Sequence, residues 1–470
     1  MKKKVLFFVM AFVMSALLIP NVYAEGVVVA KIGSDEYSTL QQAVNAVKSG
    51  ETITLVANTN EDITIAADKK FTLDLGTYTL TNVSSHTIVN NGDLTITGDG
   101  TIDNISHEKA ALTNKGTVTV LSGTFTRSRE AGSAPNNSGG NSWYVIDNNG
   151  ANAVLTFKGG KVINTSKFSS LIRNLEAKLF VEEGTFENDF IVLKNDDNGT
   201  MEISGGKVSA KGSQGSAVQN WGKFALSGGE LNAAEGSVAI YASSWDDRYT
   251  STTTIVDGTV NGNVYIARDG NYAGAAPEVA ITGGDVIGTI KLEKGGKLEV
   301  VAGNIDGSIN ADSTATVKTS GGTYTSEPSE DMVPDGYKVF DNEDGTYTIA
   351  KPVNITFNAN GNEEGVEVPA GSILTEEELE ELKEALMAEL EGTNIRFDGF
   401  FRDENFEEEF DFSKPFDADT TIYLKLSEVL EREGEKENPN TSDVNMALIL
   451  GALLIGGAGL GFTLKNRKFN

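Results

Sequence analysis

The chain contains no cysteine, two histidines, three tryptophans and nine prolines in 470 residues. Without cysteine there is no disulfide framework, no thiolate nucleophile, no cysteine-based zinc site and no iron–sulfur cluster. His86 and His107 are the only imidazoles, so a histidine-rich metal centre is excluded and a Ser-His-Asp triad would have to recruit one of them. Basic residues are scarce too. The 38 Lys and Arg face 67 Asp and Glu, for a net charge of −29, and a balance this negative repels phosphate backbones and argues against nucleic acid as a partner. What is present is 51 glycines and 39% hydrophobic residues, enough apolar side chain for a sizeable core. No cofactor and no metal are expected.

Long apolar runs occur only at the two ends. Lys2-Lys3-Lys4, an apolar stretch from Val5 to Ile19, and Pro20-Asn21-Val22-Tyr23-Ala24 have the charged, greasy, small-residue layout of a secretory signal peptide over residues 1–24, with Ala24 as the last residue before cleavage. At the other end Val444 to Leu464 is of bilayer-spanning length and is followed by Lys465-Asn466-Arg467-Lys468, which should remain cytoplasmic. Asn438-Pro439-Asn440-Thr441-Ser442-Asp443 stands just before it.

Motif 438–443, span 444–464 and basic tail 465–470, in that order, resemble the C-terminal sorting signal of Gram-positive cell-wall proteins, the LPXTG-type substrates of sortases. Asn438 stands where that family has Leu, and Ser442 where it has Gly. The resemblance implies that a sortase recognises Asn438, Pro439, Asn440, Thr441 and Ser442. Its cysteine would attack the Thr441 carbonyl, release Ser442 onward and pass the acyl group to an amine of the peptidoglycan precursor. The span would hold the chain in the membrane until then, leaving the mature protein on the extracellular face of the wall. A plain single-span anchor is the alternative. Residues 25–441 carry 32 basic and 66 acidic side chains, net −34, so the acidity belongs to the exported part.

Between the ends a phrase repeats from Gly92 to about Thr325: an apolar–x–apolar pair, two residues, a glycine, one residue, another apolar. Val118-Thr-Val120…Gly123-Thr-Phe125, Leu155-Thr-Phe157…Gly160-Lys-Val162 and Phe224-Ala-Leu226…Gly229-Glu-Leu231 are three copies. Successive anchoring glycines are separated by 19 residues (Gly284 to Gly303) up to 37 (Gly123 to Gly160). Such a period, with alternation by two and no helical stripe, predicts a parallel β-solenoid over residues 25–351. An antiparallel sandwich array is the competing fold. Asn90, Asn114, Asn148, Asn174, Asn195 and Asn220 each come two positions after an apolar residue and precede the next strand, so their amides are expected to stack from coil to coil. Arg127 to Asn141 reads as a protruding loop, and Ser243 to Ser251 as a second bulge.

Ser38 with Gln41 forms a capping box for a short helix over Thr39 to Val47 that covers the solenoid's open end. This segment with the coils resembles the pectin-lyase-like right-handed β-helix superfamily. Residues 352–427 change character: Val353-Asn-Ile355-Thr-Phe357, Val366-Glu-Val368-Pro-Ala-Gly371, Phe397-Asp-Gly399-Phe400-Phe401 and Ile422-Tyr-Leu-Lys425 resemble the internalin-type B repeat, a small β-grasp-like α+β module. Phe400 and Leu426 stand where that family has Trp. Inside it Thr375 and Glu378 cap a helix whose Leu379, Leu382, Leu386 and Leu390 form an inward stripe. Residues 428–437 read as an acidic linker. The fold class is thus all-β, a right-handed parallel β-helix followed by the α+β module and a transmembrane sorting segment.

Catalytic chemistry is thin. Glycoside hydrolysis needs two facing carboxylates, and the one local cluster is Asp246-Asp247-Arg248 beside Trp245 and Tyr249, whose neighbours point to opposite faces on a strand. No catalytic residue is assigned. Trp143, Trp221 and Trp245, with Asp246, Asp247, Arg248 and Tyr249, are the candidate ligand contacts. Asp196-Asp197-Asn198-Gly199 and Asp341 to Gly345 are oxygen-rich but lack EF-hand spacing. The expected function is adhesion to a host-surface or glycan ligand, with a wall-bound polysaccharide lyase or glycoside hydrolase as the alternative.

Overall fold

The computed structural model describes residues 27–129, 143–165, 169–244, 251–269, 275–342 and 344–429. The signal segment with Ala24, the cluster Trp245 to Tyr249, most of the loop after Arg129, the sorting signal 438–470 and the linker from residue 430 lie outside these residues. Among the described residues no helix is long and apolar enough to cross a membrane.

The chain is mostly β, and its strands pair in parallel, one coil on the next. Each coil has three faces. Face I runs from Thr52–Leu55 through Lys70–Asp74, Asp93–Thr97 and Thr117–Val120 to Thr316–Thr319. Face II includes Thr79–Thr81, Thr101–Asp103 and Thr124–Thr126. Face III is an 11-stranded sheet that starts at Ile63–Ile65 and ends at Ile309–Ala311. Every neighbouring pair in face III is parallel, with a register shift at Val238/Ile240, and the pairing runs in step through, for example, Leu112↔Ile146↔Ile172↔Leu193. The parallel ladders exclude the antiparallel sandwich array.

Alternation by two explains why these sequences stack. In face I, Val118 and Val120 lie between Leu94 and Ile96 on one side and Leu155 and Phe157 on the other, and all six are fully buried. No coil can bury such a row alone, so each strand's apolar side chains need the coil above and the coil below. Faces I and II meet at a bend that uses paired glycines for two separate reasons. Gly229 has φ +81°, while a Cβ on Gly228 would come within 2.4 Å of the Ser204 carbonyl oxygen of the preceding coil.

At the corner after face III the six asparagines form one continuous ladder. Asn90 Nδ2 donates to Asn114 Oδ1 at 2.9 Å, Asn114 to Asn148 at 2.8 Å, Asn148 to Asn174 at 2.7 Å, and the chain of amides continues through Asn195 to Asn220. Ile65 precedes the ladder in register, and at the other end Asn220 Nδ2 donates to the buried hydroxyls of Ser251 and Thr253. Arg127 departs from the sequence expectation. It directly follows strand Thr124–Thr126, yet its own side chain is buried, 1% exposed, at the corner after face II, donating to the backbone carbonyls of Trp143 and Ser106.

Both ends of the stack are covered. Ala30–Ile32 pairs antiparallel with the first face I strand, and helix α1, Leu40–Ala46, buries Leu40, Ala43 and Val44 over the open coil. Its N-cap is Thr39, which accepts from the Gln42 amide at 3.2 Å, rather than Ser38. A carboxylate 21 residues away completes the cap: Glu61 accepts from the amides of Leu40 and Gln41 at 2.6 and 3.0 Å. At the far end the antiparallel pair Lys338–Asp341 and Tyr347–Ala350 closes on Thr323–Tyr324.

A second hydrophobic cluster begins at Val353. Its four strands lie in the spatial order Asn362–Pro369, Pro352–Ala359, Thr420–Glu428, Ile395–Phe401. Helix α2, Glu376–Leu390, carries the complete Thr375/Glu378 capping box and buries Leu382, Leu386 and Leu390. Glu428 is the last residue of a strand and not the start of a linker. An ion pair between Lys338 and Glu367 joins this unit to the hairpin that closes the solenoid.

Candidate functional site

Face III is built so that its outer surface is unusually rich in chemistry. Because Ile146 and Asn148, Ile172 and Asn174, and Leu193 and Asn195 point into the core, the residues between them, Asp147, Arg173 and Lys194, point outward and stand side by side in register. The same row continues with Gln219, Tyr241 and Tyr265. One step further along the strands, Asp196 lies next to Trp221.

The row is tied together by charge and by planar stacking along the solenoid axis. Arg173 makes two bonds to Asp147, Nε to Oδ1 at 2.8 Å and Nη2 to Oδ2 at 3.0 Å, and its guanidinium lies 4.7 Å from the Tyr144 ring and 5.7 Å from that of Trp143. Lys194 pairs with Asp196 at 3.1 Å and lies 4.5 Å from the Trp221 ring centroid. Tyr241 and Tyr265 stack with centroids 5.3 Å apart and planes 10° from parallel, and the Tyr265 hydroxyl donates to Glu293 at 2.6 Å.

Although these side chains lie on the outside of a sheet, the carboxylates are buried: Asp147 is 3% and Asp196 7% exposed. Burial pushes the Asp196 carboxyl above its usual range despite Lys194 beside it. Burial alone would lower the Arg173 value, but the Asp147 carboxylate raises it. Desolvation also holds the two tyrosines up, with Glu293 adding to the effect on Tyr265. His86, at the neighbouring corner, is depressed by burial and by Lys109, and its Nδ1 accepts from the Ala110 amide at 2.9 Å.

Trp143 and Trp221 are brought to this one face, at the start of strand Ile146–Asn149 and just after strand Ser216–Asn220. They are half-buried, with cations over their rings, rather than freely exposed stacking platforms. The Asp196 to Gly199 segment is the end of a face III strand closed by a turn, with the Gly199 amide on the Asp196 carbonyl. Asp344 folds back on the amide and hydroxyl of Thr346. Among the described residues no three His, Asp or Glu side chains gather as a metal site.

Asp147, Arg173, Lys194 and Tyr241 carry no motif, and sequence reasoning passed over them. A signal was available: the residue before each ladder asparagine has to point outward on face III, and reading those positions in order gives Val89, Thr113, Asp147, Arg173, Lys194 and Gln219. Asp147 and Asp196 are separated by two coils and two residues. At ~4.8 Å per coil and ~3.3 Å per residue their backbones are roughly 12 Å apart, beyond the about 5–9.5 Å over which paired carboxylates cleave glycosides. Comparisons of the chain with protein-family models, with curated proteins and with solved structures give no match.

Proposed function

We infer that this is a cell-wall-anchored surface protein that binds a glycan or host-surface ligand through the outside of face III. On this reading residues 1–24 direct export, a right-handed parallel β-helix of the pectin-lyase-like kind presents the binding face, a β-grasp-like module resembling the internalin-type B repeat spaces it from the wall, and a sortase joins Thr441 to peptidoglycan. The right hand follows the strong rule for crossovers between parallel strands.

One observation supports the binding reading above the others: a row of half-buried aromatic and cationic side chains with buried carboxylates lies on the outer surface of a parallel sheet. Fixed rotamers on a rigid scaffold lower the ordering cost of recognition. Buried charges on an outer surface cost stability, which is expected where a site is being maintained.

Two measurements test the reading. Incubation of the purified protein with a panel of polysaccharides and matrix proteins should give retention without release of reducing or unsaturated sugar ends; turnover would establish the depolymerase instead. Thr441→Ala should leave the protein in the membrane fraction and absent from muramidase-released wall. Unchanged wall linkage in that variant would overturn the sortase assignment.

A further inference from the structure

On face III four side chains from two adjacent coils form a small square: Lys194 and Asp196 on one strand, Gln219 on the next and Trp221 just past its end, with Lys194 opposite Gln219. Its hydrogen bonding is incomplete. Asp196 accepts from Lys194 through Oδ2 at 3.1 Å, while its Oδ1 is buried with no donor, and the Gln219 Oε1 is buried with none either. A buried acceptor without a donor is costly, and native structures retain few of them. Here two occur on neighbouring strands beside an indole. Burial also pushes the Asp196 carboxyl up, with Lys194 acting against the shift.

Resting on the glycan-binding reading above, we propose that this square is the subsite for an uncharged pyranose, whose hydroxyls donate to Asp196 Oδ1 and Gln219 Oε1 while its apolar face packs against Trp221. The ligand class follows from the unfilled positions. Both are acceptors, which a sugar hydroxyl satisfies and a carboxylate or sulfate does not, and an anionic sugar would place its charge against Asp196. Lys194 is the movable part of the cover. Its ammonium lies over the Trp221 ring and on Asp196, the space the sugar requires, and a long unbranched side chain swings away at low cost compared with a strand. The subsite opens when Lys194 leaves the indole and closes over it when the ligand departs.

The test uses the full-length protein on an array that pairs neutral oligosaccharides with oligosaccharides of uronic acids and sulfated sugars. Wild-type protein should bind within the neutral set, and Asp196→Asn and Gln219→Leu should each lower that affinity at least tenfold. Asp196→Asn removes an ionised group that is disfavoured in the fold, so its melting temperature at pH 7 should equal or exceed the wild-type value, which separates lost binding from lost folding. Lys194→Met should keep the site and raise the association rate severalfold. Binding confined to the acidic set, or neutral binding that survives both Asp196→Asn and Gln219→Leu, would overturn this subsite while leaving a glycan-binding face intact. Failure of the wild-type protein to bind any glycan would overturn the underlying reading as well.

Discussion

The asparagine ladder shows how one residue type, repeated at one position, organises the stack. Each amide uses its NH2 on the next asparagine and on nearby backbone carbonyls; Asn148 also donates to the Lys178 carbonyl at 2.9 Å. Asn148→Ala would strip the only amide donor from Asn174 Oδ1 and the only amide acceptor from Asn114 within the ladder. Asn114 keeps its bonds to the Gly116 and Val154 carbonyls, so Asn174 Oδ1 is the side-chain group left unpaired, and a loss on the order of 1–3 kcal/mol is expected, read as a lower denaturation midpoint. His86 offers a test with a pH axis. Its folded pKa lies below the ordinary 6.5, so the unfolded chain binds the proton more readily. Its contribution to stability is therefore complete above about pH 6.5 and is lost as pH falls through the lower folded value. Melting curves from pH 7.5 to 5 should show wild type losing more than His86→Asn, which keeps an acceptor for Ala110 and does not titrate; parallel curves would refute the assignment.

At the scale of elements, α1 has seven residues, too few to be stable alone, and is held by what it buries and by Glu61. Glu61→Ala should speed hydrogen exchange at the Leu40 and Gln41 amides by at least tenfold while leaving the ladder coils unchanged. That cap was not legible in the sequence, because its partner is 21 residues away and no local pattern links them. Ser38 and Gln41 offered a capping box, but the structure gives the N-cap to Thr39. The capping box of α2 was legible, since both partners lie within one turn. Strands followed the same division. Their inward residues obey a strict period and could be read one by one, down to all six ladder asparagines. Their outward residues obey no period of their own, so Asp147 and Arg173 were legible only from their place one position before a ladder asparagine, and Tyr241 only once register aligned it. Arg127 misled because a charged residue at the head of a Ser/Gly/Asn-rich stretch reads as loop, whereas here the guanidinium is buried on carbonyl oxygens.

Over the whole molecule, eleven face III strands at about 4.8 Å make a stack roughly 50 Å long, closed by α1 at one end and by an antiparallel hairpin at the other. The absence of cysteine is matched by cohesion from coil-to-coil packing and amide ladders. The outer surfaces of the three faces differ. Face I carries stacked threonines such as Thr72, Thr95, Thr119 and Thr156 in its first coils and cross-coil pairs such as Lys297–Glu278 in its last, whereas face III carries the fixed aromatic and charged row. The most direct test of recognition by face III is ligand binding by the intact protein with Tyr241 and Tyr265 both changed to Ala, beside a face I control with Thr95 and Thr119 both changed to Ala. The account predicts at least a tenfold loss of glycan affinity in the face III variant and wild-type affinity in the control. Equal affinity in the two variants, or loss confined to the face I control, would contradict it.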